Sequence, residues 1–133
     1  MNDERSVTIR IGDEEYPLVL TTGATKEIAK RYGDIEKLGD KLMKAENIEL
    51  ALDEIGWLVT LLANQGVRIH NLKHRDAPRQ LVTEEEVELL TTPFELSEFK
   101  GQILEAMFRG MKRNVESEDS EKNLIAGEQA PPT

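Results

Sequence analysis

The chain has 133 residues, 26 acidic against 17 basic, a net charge of −9 and no cysteine. That balance argues against a nucleic-acid or anionic-lipid surface, both of which reward clustered Lys and Arg. The missing thiols exclude disulfides, thiolate nucleophiles and zinc–sulfur centres.

Ser6–Ile11 (SVTIRI) alternates Val7, Ile9 and Ile11 with polar neighbours, and Tyr16–Leu20 (YPLVL) is a second extended run. With turn residues Gly12-Asp13-Glu14 between them, they predict a β-hairpin over residues 6–21. Pro17 cannot donate to a ladder, which puts the second strand at an edge. A lone hairpin is barely stable in water, so its apolar face should rest on helices.

Thr21 or Thr22 caps a first helix running to about Tyr32, where Gly33 stops it. Ala24, Ile28, Ala29 and Tyr32 are its candidates for burial. Asp34 restarts the helix through Ile35, Leu38, Leu42 and Met43, with Gly39 weakening it. Asn47 then caps Ile48–Leu62, IELALDEIGWLVTLL. Ile48, Ala51, Leu52, Ile55, Leu58, Val59 and Leu62 form one apolar arc, and Leu50, Trp57 and Leu61 form a second ridge. A helix apolar on two sides must be covered on two sides, which places it at the centre of the domain. Trp57 is read as an intra-domain packing residue.

Asn64-Gln65-Gly66 is expected to end or kink this helix, leaving Val67–His74 as a shorter one and Arg75–Gln80 as a loop. Thr83-Glu84-Glu85-Glu86 is a capping box opening a short helix through Val87 and Leu90. Thr92-Pro93-Phe94-Glu95 is a second, with proline at the first helical position, and predicts a last helix from Pro93 to about Asn114. From Glu116 onward five acids, one lysine and little apolar content predict a disordered tail. The expected organisation is one folded domain over 1–115 and an acidic tail over 116–133. The fold class is α+β, mostly α-helical, with the N-terminal hairpin packed on a helical bundle.

No constellation points to catalysis. His70 and His74 share a helical face, but residue 71 is Asn where a zinc protease places its general-base Glu, and no third ligand is marked. No glycine-rich phosphate loop is present. The reading is therefore a non-enzyme without cofactor or metal. The last helix is more informative: Leu96, Phe99, Ile103, Met107 and Met111 make one stripe, which Leu104 and Phe108 widen to about half the circumference. Leu96, Phe99 and Ile103 are assigned to the core. Leu104, Met107, Phe108 and Met111 are assigned to partner binding or self-association, because flexible methionines beside an aromatic suit an adaptable surface. The N-terminus lacks the apolar core of a signal peptide and no apolar run is long enough for a bilayer, so a cytoplasmic location is expected.

The order of elements is also familiar. A Gly12-x-x-x-Tyr16 hairpin runs into Leu20-Thr21-Thr22-Gly23-Ala24-Thr25-Lys26-Glu27-Ile28 and closes on Arg31-Tyr32-Gly33. A long apolar helix, Leu81-Val82-Thr83-Glu84-Glu85-Glu86-Val87-Glu88-Leu89-Leu90 and a terminal amphipathic helix follow. Over about residues 6–114 this resembles the tail assembly chaperones of long-tailed bacteriophages and prophages. The resemblance implies a helper in the host bacterial cytoplasm that binds the tape measure protein, recruits tail tube subunits and is absent from the finished particle. A structural head–tail connector or completion protein is the alternative. The family's longer form, made by ribosomal slippage, gives Glu121-Lys122-Asn123 interest, since these residues can be encoded by an A-rich slippery heptamer. Gene sequencing tests this, and codons interrupting the A run would end the idea.

Overall fold

The computed structural model describes residues 4–44 and 48–126. Strands β1 (Val7–Ile11) and β2 (Glu14–Leu18) pair antiparallel with Val7 opposite Leu18, Ile9 opposite Tyr16 and Ile11 opposite Glu14. Two residues, Gly12 and Asp13, close the turn, and Gly12 takes the φ of 63° that such a turn requires. The second strand thus starts two residues earlier than its apolar run. It also stops earlier, because the Val19 N–H leaves the ladder and donates to the Leu62 carbonyl at 3.2 Å. The inward face, Ile9, Ile11 and Leu18, is buried against the helices.

Helix α1 (Thr22–Tyr32) begins and ends where the sequence predicts: Thr21 Oγ1 accepts from Ala24 N at 3.0 Å, and Gly33 stops the helix at φ 99°. Ile28 and Ala24 are buried as expected, but Ala29 faces solvent. Helix α2 (Ile35–Lys44) is opened by Asp34, whose Oδ1 accepts from Lys37 N at 2.7 Å, and it buries Leu38 and Leu42. Asn47, the expected cap of the next helix, lies outside the described residues.

Helix α3 (Ile48–Lys73) is a single 26-residue element that packs against β2, α1, α2, α4 (Glu84–Leu90) and α5 (Pro93–Ala126). The expected break at Asn64-Gln65-Gly66 does not occur, for reasons lying outside the helix. Asn64 pairs with the Val82 backbone in both directions, at 2.7 and 2.8 Å. Asn71, two turns on, holds the Arg79 backbone in the same way at 3.0 and 2.8 Å. Gln65 accepts from the Thr21 hydroxyl. Gly66 is required by contact: a Cβ there would stand 2.3 Å from the Pro17 carbonyl oxygen. These polar side chains hold other segments and leave the helical backbone intact. The central placement holds from Ile55 onward, whereas Ile48 and Leu50 in the first turn are exposed.

Both capping boxes form. Thr83 and Glu86 exchange bonds of 3.0 and 2.9 Å at the start of α4, and Thr92 and Glu95 exchange 3.1 and 2.9 Å at the start of α5. Helix α5 continues to Ala126, past the expected end at Asn114 and across the expected tail boundary at residue 115. No proline or glycine stands between Gly110 and Gly127 to interrupt it. Residues 127–133 of the expected tail lie outside the described residues. The architecture is α+β, mostly helical, with the hairpin packed on helices.

A mid-helix Gly→Ala change normally gains about 1 kcal/mol. Gly66→Ala should instead lose about 1–3 kcal/mol in urea unfolding, because the added methyl overpacks against Pro17. Gly101→Ala should gain up to about 1 kcal/mol, since its Cβ meets nothing within 4 Å. A gain at position 66 would show that the hairpin is free to withdraw.

Candidate interaction surface

Two polar clusters have the residue types of an active site, and both are tied to neighbouring elements of the fold. His70 and His74 stack with ring centroids 4.6 Å apart, and His70 Nε2 is tied to the Ala77 carbonyl at 3.0 Å. One ring nitrogen is thereby committed to the loop, and among the described residues no three His, Asp or Glu groups could hold a metal.

The second cluster centres on Glu54 of α3. Its carboxylate accepts from the Tyr32 hydroxyl and from Arg31 Nε at 3.3 Å, with Lys41 Nζ 3.9 Å away. Arg31 also lies 4.4 Å over the ring of Trp57, which meets Tyr32 edge-on at 6.0 Å. Trp57 therefore packs within the domain, as its sequence setting predicts. The cluster fastens α1 and α2 to α3. Burial pushes the Tyr32 phenol well above its ordinary range, and its bond to the Glu54 carboxylate adds to the shift.

A third feature is a run of apolar side chains on the surface. Helix α5 buries Leu96, Phe99, Ile103, Ala106 and Met107 together with Gly110. Gly110 lets the helix approach the segment after β2, where a Cβ would meet Leu20 Cβ at 2.9 Å. This close approach turns Ala106 and Gly110 inward and fixes the helix rotation. Of the four residues expected to bind a partner, Met107 is in the core at 4% exposure, which corrects its surface assignment. Leu104 is half-buried and packs against the core, while Phe108 and Met111 stand out at 58% and 46%.

Phe94, absent from the expected set, is 73% exposed. It completes a run at alternating spacings of three and four: Phe94, Ser97, Gly101, Leu104, Phe108 and Met111. That is the spacing of a helix-pairing seam, and open space at Gly101 leaves a notch in its middle. The heptad was readable in the sequence once Gly101 was counted as a member. Leu72 at the end of α3, and Leu89 and Leu90 at the end of α4, are also exposed and were likewise not anticipated. No helix of the described residues is long and apolar enough to cross a membrane. Comparison with protein-family models, with characterised proteins and with solved structures gives no match to this chain.

The folded chain holds the Tyr32 proton more tightly than the unfolded chain does. This contribution to stability is complete below the ordinary tyrosine pKa of about 10 and is lost as pH rises through the raised value. Above about pH 10 the melting temperature of the parent should fall more steeply than that of Tyr32→Phe. Parallel curves would show that another group titrates.

Proposed function

We propose that this chain is a non-catalytic assembly chaperone of a long-tailed phage or prophage, which covers an apolar helical segment of the tape measure protein and helps tail tube subunits assemble along it. The observation carrying the reading is the outward seam of α5, where Phe94, Phe108 and Met111 are exposed and Leu104 half-exposed on a chain of net charge −9. An apolar helix face of this kind suits the apolar stripe of another helix. The negative charge keeps the chain soluble while that face is uncovered.

Magnitudes favour a releasable cover. Fully burying an exposed large apolar side chain contributes about 1.5–3 kcal/mol, and because Leu104 is half-buried and Phe108 and Met111 are partly covered already, these anchors offer less than that each. Lost translational and rotational freedom alone takes about 4–15 kcal/mol. The balance is modest affinity, as a helper that must later leave requires. The order of elements and the quoted motifs supply the phage context, and the seam supplies the physical means.

Co-expression with the neighbouring large helical tail protein tests the reading. The parent should keep that protein soluble. Phe108→Glu should abolish the rescue with helicity and melting unchanged, because the side chain it replaces is largely exposed. Retained rescue, or stoichiometric presence of the chain in purified virions, would overturn the assignment, the latter in favour of a connector or completion protein.

A further inference from the structure

The two ends of the α5 seam are unlike. Met111 stands at one and Phe94 at the other, roughly 25 Å apart along the helix axis. Pro93, the residue before Phe94, joins Leu52 and Leu96 in lining an open cleft of about 250 Å³, which Glu49, Asp53 and Glu88 also line. The cleft therefore opens beside the Phe94 end of the seam, where the starts of α3 and α5 meet the last turn of α4. All three carboxylates are exposed, and none pairs with a cation among the described residues.

Local structure explains one of these acids. Glu49 lies in the first turn of α3, where the helix dipole favours negative charge. The effect fades within a turn, so it does not reach Asp53, and it opposes Glu88 in the last turn of α4. Three like charges around one apolar hollow repel each other. A long cationic side chain answers both parts of the site. Lysine and arginine lay a methylene stem on apolar surface and keep the charged head at a hydrated rim. An acidic guest would be repelled, and a purely apolar one would leave the rim without a counter-charge.

We propose that the cleft receives a lysine or arginine flanking the apolar stripe of the helix that sits on the α5 seam. This rests on the seam being a helix-binding face, and it adds what that face selects: an amphipathic helix with a basic residue at the end overlying Phe94. Apolar contact along the seam discriminates little between directions and registers of the guest. A charged contact at one end fixes both.

Synthetic amphipathic helices of about three heptads are the probes. One carries leucines at three–four spacing with lysines at both ends, and the other is identical with glutamates at both ends. Placing the charge at both ends makes the guest's direction immaterial. In fluorescence anisotropy with the full chain at low salt, the lysine peptide should bind about tenfold more tightly than the glutamate peptide. The margin should narrow as sodium chloride is raised. Asp53→Lys/Glu88→Lys should reverse the preference with circular dichroism unchanged, since both side chains are exposed. Asp13→Lys/Asp76→Lys alters the net charge equally at exposed sites outside the cleft and should keep the preference. If Asp53→Lys/Glu88→Lys loses helicity, Asp53→Asn/Glu88→Gln replaces it and should abolish the preference. Equal affinity of the parent for the two peptides, binding of neither, or a preference that both double variants weaken alike overturns the proposal. Equal affinity that Phe108→Glu then abolishes would sink the cleft assignment alone and leave the seam as a helix-binding face.

Discussion

The approach of Pro17 to Gly66 sets the distance between the hairpin and α3, and the arrangement of the other helices follows from it. With no side chain at position 66, the Pro17 backbone sits where a Cβ would be, and Val19 donates to the Leu62 carbonyl one turn earlier. The hairpin is thereby fixed in register along the helix. Its buried side chains, Ile9, Ile11 and Leu18, then reach the common core. Gly110 repeats the device on α5 against Leu20. Two glycines that cost helical propensity in isolation permit the close packing that holds three elements together.

Polar side chains in α3 serve a parallel purpose. Asn64 and Asn71 each give a loop backbone both a donor and an acceptor, as a neighbouring strand would. The segment between α3 and α4 is thus anchored at two points without secondary structure of its own. Glu54 gathers Arg31, Tyr32 and Lys41 from two other elements. A half-buried carboxylate left unpaired would be costly, so these contacts also specify which helices must meet there.

Some of the apolar groups left outside this framework are ordered. Along α5 they follow a helix-pairing spacing, and at the N-terminal end of α3 Leu52, Pro93 and Leu96 line a cleft with Glu49, Asp53 and Glu88. Scattered apolar side chains are normal on any surface. A three–four spacing along one helix and a cleft rimmed by acids are more specific.

Local chemistry determined much of this protein from the sequence alone. The hairpin turn at Gly12-Asp13, the Thr21 cap and Gly33 stop of α1, and the capping boxes at Thr83 and Thr92 all depend on residues a few positions apart. The seam on α5 was partly legible, with Phe108 and Met111 placed outward and Leu96, Phe99 and Ile103 inward. Only the tertiary structure decided that Asn64-Gln65-Gly66 continues a helix, because its partners Val82, Thr21 and Pro17 lie far away in the chain. Only the tertiary structure placed Met107 inside and Phe94 outside, because the rotation of α5 is set by Gly110 meeting Leu20. Periodicity shows that a helix has an apolar side; the steric contact between distant segments fixes which residues stand at its centre.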